Sequence, residues 1–323
     1  MSATVPDLFA RSTSTVFTSA GSTSGPRLLA DGRRLAAEWA TAGLALGDRI
    51  TASAGHRLRY LRCIAAAATG RFVLVSVNRR YSEPEAVRLV ERSGARLLVT
   101  DTDVVPPATV SLLDIDAITG APSVGVAHAD ASPAAPDDPF VVFTTSGTTS
   151  EPKMVLHRQR SIAEHAPLAA RQIQCGSDDC VCVALPLCGV FGFNASTLAL
   201  AGHAEIRLLD RFDAAETAGV IERHGVTVMN GSDDMFHRML ETDDDLSSLR
   251  CCPYGRFNPS LDGIVGRADQ RGARLTGVYG MSEVQALYSV REPSLDSEQR
   301  ERAGGALSGP DAAFRIVDPE SGL

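Results

Sequence analysis

Residues 140–153, with the sequence FVVFTTSGTTSEPK, join an apolar strand-like run to a loop of small hydroxyl residues and glycine. Loops at the carboxyl ends of parallel strands are where α/β folds bind ligands. Backbone N–H groups and hydroxyls of residues 144–150 can donate to oxyanions, and Lys153 adds a positive charge. The pattern therefore predicts a polyphosphate-binding loop after a buried strand.

This loop lacks the Walker A pattern G-x-x-x-x-G-K-[ST], because Pro152 stands where that pattern requires glycine. Simple P-loop ATPases and kinases are therefore disfavoured, and a flexible Ser/Thr linker is the alternative. Lys153 is also the only lysine among 31 basic residues. Lysine is a compact charge on a slim stem and arginine a broad planar fork, so a narrow site would retain lysine in an arginine-rich chain.

The rest of the chain alternates helix-like and strand-like segments, which predicts an α/β fold with mostly parallel sheets flanked by helices. Residues 119–139, rich in Ala, Pro, Gly and Asp, are predicted to form a linker or surface loop. Ser82 is the expected N-cap of a helix whose first turn holds Pro84. The predicted helices are 32–43, 56–69, 82–94, about 158–172, 213–224, 233–241 and about 259–271. The predicted strands are 46–53, 72–77, 96–100, 140–144, 181–185, 205–209, 226–229, 274–279 and 312–318.

The overall composition argues against several classes of protein. A net charge of -8 offers no basic face for nucleic acid. No apolar run approaches the roughly 18–20 residues needed to cross a bilayer, and the start of the chain does not read as a signal peptide, so a cytoplasmic location is expected. Seven cysteines without CxxC pairing favour free thiols over a zinc site.

Several segments together resemble one known family. TTSGTTSEPK (144–153) resembles the phosphate-binding signature, roughly TSGTTGxPKG, of the adenylate-forming superfamily, which includes acyl-CoA synthetases, luciferases and peptide-synthetase adenylation domains. VYGMSE (278–283) is similar to its YGxTE segment and LPLCGVFGF (185–193) to its lP-x-x-H-x-x-G segment. GGALSGPDAAFRIVDPESG (304–322) is similar to the stretch that follows.

The resemblance implies an incomplete N-terminal adenylation domain of two α/β subdomains. Residues 1–118 would form the first part, 140–303 the part that binds ATP and the acid, and 304–323 the start of a β-rich segment. The family's small C-terminal domain, with its adenylation lysine, is absent from the sequence. Weak or absent turnover is therefore expected of this chain alone.

The resemblance also implies ATP and Mg²⁺ as cofactors, and residue roles by position. Lys153 and Glu283 would be catalytic, with Glu283 as the metal ligand. The residues expected to bind ATP are Thr145, Ser146, Gly147, Thr148, Thr149, Lys153, Gly255, Tyr279, Gly280, Met281 and Ser282. Those expected to bind the acid are Cys188, Gly189, Phe191, Asn230, Gly231 and Ser232.

Some positions depart from the family pattern. Ser150 and Met154 replace two glycines of the phosphate signature, and Gly189 stands where a histidine often lines the acyl pocket. Asp233 replaces a proline and is followed by Asp234. These two carboxylates could pair with an amino group of the substrate, or they could cap the helix that begins there.

These departures favour a small polar or aromatic acid over a long-chain fatty acid. The resemblance implies its activation as an acyl-adenylate and transfer to coenzyme A or to the thiol of a carrier protein. Two alternatives remain: adenylation of another oxyanion, such as nitrite for diazotisation of an aryl amine, and a non-catalytic nucleotide-binding module.

Overall fold

The computed structural model describes residues 3–55, 57–102, 104–118, 132–145 and 152–322. Its α-helices are α1 (Val5–Arg11), α2 (Gly25–Thr41), α3 (Arg57–Gly70), α4 (Glu83–Ser93), α5 (Gln159–Gln172), α6 (Val190–Gly202), α7 (Ala214–His224), α8 (Asp233–Leu240), α9 (Ile264–Gln270) and α10 (Ser297–Glu301). Its strands are β1 (Thr15–Thr18), β2 (Gly21–Ser24), β3 (Arg49–Ser53), β4 (Val73–Ser76), β5 (Leu97–Thr100), β6 (Ser111–Asp114), β7 (Pro139–Thr145), β8 (Lys153–Arg158), β9 (Cys180–Val183), β10 (Glu205–Leu208), β11 (Val228–Met229), β12 (Gly231–Ser232), β13 (Cys252–Gly255), β14 (Leu275–Tyr279), β15 (Ser289–Val290) and β16 (Ala306–Leu307).

A six-stranded sheet has the order β6-β5-β3-β4-β7-β8. All its pairs are parallel except β7 with β8, which form an antiparallel hairpin. Every residue of β4 and β5 is buried, as expected for strands covered on both faces by helices. The predicted α/β class with mostly parallel sheets is confirmed.

The second sheet joins the start of the chain to its middle, in the order β11-β9-β10-β1-β2. β1 pairs in parallel with β10, with Val16 opposite Ile206. The third sheet has the order β12-β13-β14-β15-β16, and its parallel strands β12, β13 and β14 end on one side. Site residues predicted from the sequence follow at those ends.

The start of helix α4 agrees with the capping signal in the sequence. Ser82 is the N-cap of α4, and its backbone N–H and hydroxyl both donate to the Glu85 carboxylate, at 2.8 and 2.6 Å. Pro84 lies in the first turn, where its missing N–H costs no hydrogen bond. The predicted capping of this helix is confirmed.

Other elements differ from the prediction. α6 was not predicted, because it is buried all round and so shows no amphipathic period. β6, β8 and β13 were also missed, and the helix predicted over 259–271 is a 3₁₀ turn at Pro259–Leu261 followed by α9. The strand predicted at 312–318 is wrong: no described strand pairs with it, and Phe314 and Ile316 remain exposed.

The structure also shows the state of the cysteines and the character of the helices. All seven cysteines are free and all but Cys188 are buried, as predicted. Burial raises the pKa of the Cys63 thiol to about 12, so it stays protonated at neutral pH. Among the described residues, no helix is both long and apolar enough to span a membrane.

Candidate nucleotide-binding site

Most of the predicted nucleotide-binding residues that the structure describes line one cavity of about 420 Å³. It lies where β13 and β14 end beside the first turn of α6. Its lining includes Phe191, Gly255, Tyr279, Gly280, Met281 and Ser282 from the predicted set, together with Val190, Tyr254, Arg256, Phe257, Gly277, Val278, Ala286, Glu301 and Ala303. Residues far apart in the sequence thus meet at the carboxyl edge of the third sheet.

A larger cavity of about 890 Å³ lies elsewhere, between α1, α2 and the end of α3. Its walls are largely apolar, with Ala36, Ala40 and Phe72 among them. Of the predicted site residues that the structure describes, none lines it. The smaller cavity, although it has less volume, is the one that the predicted site residues line.

The hairpin of β7 and β8 forms the base of the predicted phosphate loop. Thr145 and Lys153 are opposite one another as Cα partners, and Lys153 is exposed. The hydroxyl of Thr144 donates to the Ser76 carbonyl at 3.1 Å, which fixes β7 to β4. Ser146, Gly147, Thr148 and Thr149, together with Ser150, lie outside the described residues.

Strand β8, the second strand of the hairpin, explains why Met154 can replace a glycine of the family signature. Met154 lies in the extended strand β8 and packs against Val73, Val75 and Val142. An extended residue needs no positive φ angle, so glycine is not required at this position. The Arg92 guanidinium donates to the Pro152 carbonyl at 3.3 Å and attaches the base of the loop to α4.

Two exposed aromatic rings line the cavity. Tyr279 is 47% exposed at the end of β14, with its ring centroid 6.5 Å from that of Tyr288. Phe257 is 75% exposed, and a Cβ added to Gly255 would lie 2.6 Å from its ring. Gly255 therefore leaves space that the Phe257 ring occupies, and both rings present faces on which a planar base can stack.

The predicted metal ligand lies on a tight turn next to this cavity. Glu283 is exposed in the 3₁₀ turn Ser282–Val284, and within the described part of the chain its carboxylate forms no hydrogen bond or ion pair. Mg²⁺ is usually bound through one or two carboxylates together with the phosphates of a substrate, and the exposed Glu283 carboxylate fits the part of such a donor.

The same turn is held by two histidines that the sequence analysis missed. His157 Nε2 lies 2.7 Å from the Ser282 carbonyl, and His165 Nε2 lies 3.0 Å from the Leu287 carbonyl. Burial lowers the pKa of both imidazoles, so both are neutral at pH 7. The only sequence signal is that both follow Lys153 closely.

The residues predicted to bind the acid are divided between the cavity and its surroundings. Phe191 lines the cavity, and Gly189 is the N-cap of α6. Cys188 is half-buried outside the lining, and burial raises the pKa of its thiol to about 11. Gly189 has ordinary space around it, so the missing histidine side chain leaves room at the start of α6.

Asn230, Gly231 and Ser232 do not line the cavity but lie beside β13. Asn230 is buried, and neither end of its amide has a hydrogen-bond partner among the residues that the structure describes. Gly231 pairs with Tyr254, and the Ser232 hydroxyl accepts from the Met235 N–H at 3.2 Å. Ser232 is therefore the N-cap of α8.

Asp233 agrees only in part with the capping predicted from the sequence, because Ser232 is the N-cap of α8 and the Asp233 carboxylate accepts from a single N–H of its first turn. It is fully buried, and its carboxylate accepts from the backbone N–H groups of Phe257 and Asn258, at 2.8 and 2.7 Å, and of Asp234. Asp233 thus holds the segment that carries Phe257. It is not free to pair with an amino group of a substrate.

Comparisons with known proteins identify the family of this chain. The AMP-binding enzyme family model matches residues 10–323. "4-coumarate--CoA ligase 5" of Oryza sativa subsp. japonica is 28% identical over 320 residues, which cover 90% of this chain and 58% of that protein. The chain thus spans little more than half the length of that relative.

Two solved structures share the fold. O-succinylbenzoate coenzyme A synthetase from Bacillus subtilis, in complex with ATP and magnesium ion, has a TM-score of 0.83 and 22% identity, covering 94% of this chain and 64% of that one. The N-terminal domain of FACL13 from Mycobacterium tuberculosis has a TM-score of 0.80 and 18% identity, covering 90% of this chain and 79% of that one. The resemblance read from the motifs is confirmed, and the chain belongs to the AMP-binding enzyme family.

Proposed function

We propose that this chain binds MgATP and a small polar or aromatic carboxylic acid, and that it activates the acid as an acyl-adenylate for transfer to coenzyme A. The observation that carries the proposal is that Gly255 and Tyr279 to Ser282, from the ends of two neighbouring strands, line one cavity together with Phe191. The relative named as a 4-coumarate–CoA ligase supports an aromatic acid and coenzyme A as acceptor.

Four of the predicted site residues that the structure describes have positions that support a role in this reaction. Adenine stacks on Tyr279, and Ser282 contacts the α-phosphate. Lys153, exposed at the base of the loop, offers its ammonium to the β- and γ-phosphates. Glu283 would hold Mg²⁺, which when bound would neutralise part of the phosphate charge.

The reaction is a displacement at phosphorus. A carboxylate oxygen of the acid forms a bond to the α-phosphorus, the bond from that phosphorus to the bridging oxygen breaks, and pyrophosphate leaves. The protein positions the two reactants and stabilises the developing charge. Val190 and Phe191 give the acid an apolar wall that suits a small aromatic ring.

The first test measures ATP binding by calorimetry, with Mg²⁺ and with a chelator. We expect Lys153→Ala to weaken MgATP binding about tenfold to a hundredfold, because a charge-assisted contact to phosphate is lost. Arg11→Ala, which removes an exposed cation at the end of α1, is the control and keeps the affinity of the unaltered chain. Equal affinity in both variants would refute the role of Lys153.

The second test separates the substrate classes. Because only weak turnover is expected of this chain alone, the chain is held in molar excess over a pool of aromatic, polar and long-chain acids with MgATP, and the adenylates that stay bound after a single turnover are identified by mass. An aromatic or small polar acyl-adenylate is the expected product. Consumption of ATP only with nitrite and an aryl amine would favour the diazotising alternative, and MgATP binding without any adenylate the non-catalytic one.

A further inference from the structure

The turn that carries Glu283 is folded in a costly conformation. Gln285 and Ala286 have φ angles of 60° and 67°, in the left-handed region that non-glycine residues avoid. The chain then passes so close to Gly280 that a Cβ there would lie 1.4 Å from the Ala286 carbonyl oxygen. Such a conformation persists only where surrounding groups hold it in place.

Two of those groups are the imidazoles of His157 and His165. They bond the carbonyls of Ser282 and Leu287, which lie at the two ends of the strained turn. A carbonyl oxygen only accepts, so each ring donates from Nε2–H. The two hydrogen bonds therefore fix both ends of the segment that contains Glu283.

The histidines come from the phosphate hairpin and the helix that follows it. His157 lies in β8, the strand that begins with Lys153, and it is only 6% exposed, with its ring centroid 5.8 Å from that of Phe143. The position of His157 is thus set by the core, and its bond to Ser282 links the strand of Lys153 to the turn of Glu283.

His165 makes a second link. Its Nε2 side bonds Leu287, and its Nδ1 lies 3.4 Å from the side-chain amide nitrogen of Asn194. Because Nε2 carries the proton, Nδ1 accepts from Asn194. Asn194 belongs to α6, the helix whose first turn lines the cavity. His165 therefore connects the turn to the wall of the predicted acid pocket.

We propose that His157 and His165 are positioning residues that set the place of Glu283 relative to Lys153, so that one MgATP meets both. The inference rests on the proposed binding of MgATP by this site. Neither histidine lines the cavity, and each acts through the backbone carbonyl that it holds. The effect of losing either should therefore appear in the contribution of the metal rather than in contacts to the nucleotide.

The test compares three substitutions of His157. Gln places an N–H donor close to where Nε2 lies, whereas Asn is too short to reach the Ser282 carbonyl and Leu has no donor. ATP affinity is measured by calorimetry with Mg²⁺ and with a chelator, and folding by circular dichroism and thermal unfolding. His224→Leu, at an exposed position on α7, is the matched control.

We expect His157→Leu and His157→Asn to lose about tenfold or more of the Mg²⁺-dependent gain in ATP affinity, the scale typical of groups that orient metal ligands. Affinity in the chelator should stay within about twofold, as for any group outside the nucleotide contacts. His157→Gln and His224→Leu should retain the gain. His165→Leu and His165→Gln should repeat the contrast.

Two results would overturn the inference. One is an unchanged Mg²⁺-dependent gain in His157→Asn, and the other is an equal loss with Mg²⁺ and with chelator, which would indicate a general structural role. If His157→Leu does not fold, the polar pair His157→Gln and His157→Asn decides the question. Absence of Mg²⁺-dependent binding in the unaltered chain would instead refute the proposed function itself.

Discussion

Gly280 is the residue at which the backbone of the site comes closest to itself. Because a Cβ there would overlap the Ala286 carbonyl, Gly280→Ala must displace the turn that carries Glu283. We expect the free energy of unfolding to fall by about 1–3 kcal/mol. MgATP affinity should fall about tenfold or more, as when a metal ligand loses its orientation. Urea unfolding and calorimetry measure the two effects.

A matched glycine provides the control. Gly266 lies inside α9, and a Cβ added to it meets nothing within 4 Å. Gly266→Ala should therefore stabilise the protein by about 0.5–1 kcal/mol, because alanine has the better helix propensity, and leave MgATP affinity unchanged. The account of Gly280 would be contradicted if its alanine variant also kept full affinity.

Residues of the site differ in how far the sequence could predict them. Tyr279 to Ser282 lie in one short motif, and the structure brings them together with Gly255. His157 and His165 could not be predicted, because their partners are 125 and 122 residues away and no local pattern reports such contacts. For the same reason, the sequence could not predict that the Asp233 carboxylate accepts from the N–H groups of Phe257 and Asn258.

In strand β8, Met154 replaces a glycine of the family signature, and its side chain contributes to the packing of the strand. Met154 packs on the valines of the six-stranded sheet, whereas Leu156 in the same strand is 52% exposed. Met154→Gly should lower the free energy of unfolding by about 2 kcal/mol or more, from lost packing and added backbone freedom. Chemical unfolding measures the loss.

Leu156→Gly controls for the backbone contribution alone and should cost about 1 kcal/mol or less. We therefore expect the family's glycine at position 154 to lower the stability of this chain. Position 154 lies in strand β8, where the Met154 side chain packs against the sheet. Equal losses in the two variants would show that the packing of Met154 contributes nothing.

Elements were predictable where one face is buried and the other exposed. α4 and α7 have polar and apolar sides and match predicted helices, and α2 overlaps the helix predicted at 32–43 but begins seven residues earlier. α6 is buried on all sides, so period alone could not distinguish it from a strand. Apolar and polar residues alternate in 312–318 as in a strand. Such a pattern does not show whether a partner strand is present.

At the scale of the whole molecule, Asp179 connects two sheets. Its carboxylate accepts from Arg250 at 2.6 and 2.8 Å, from the Thr227 hydroxyl at 2.6 Å and from the Gly176 N–H at 2.9 Å. Burial alone would raise its pKa, but the hydrogen bonds from Arg250, Thr227 and Gly176 outweigh burial and hold the pKa below its usual 3.8.

The sign of the pH dependence follows from this lowered pKa. Below the usual value of 3.8 the unfolded chain binds a proton at Asp179 before the folded chain does, so the stabilisation is present above pH 3.8 and is lost as pH falls toward the folded pKa. Asp179→Asn should cost about 2 kcal/mol at pH 7, because charged hydrogen bonds are lost. The difference from the unaltered chain should shrink below pH 3.8 in urea unfolding, and Asp178→Asn, at an exposed neighbour, should show neither effect.

The pairing of β1 with β10 also has a consequence for how the chain is made. Val16 is synthesised early, but its partner Ile206 follows about 190 residues later. At about 5–20 residues per second, the first strand waits roughly 10–40 s on the ribosome before its sheet can close. During that interval its unpaired edge is open to wrong partners, so slower translation of the middle of the gene would be expected to increase misfolding.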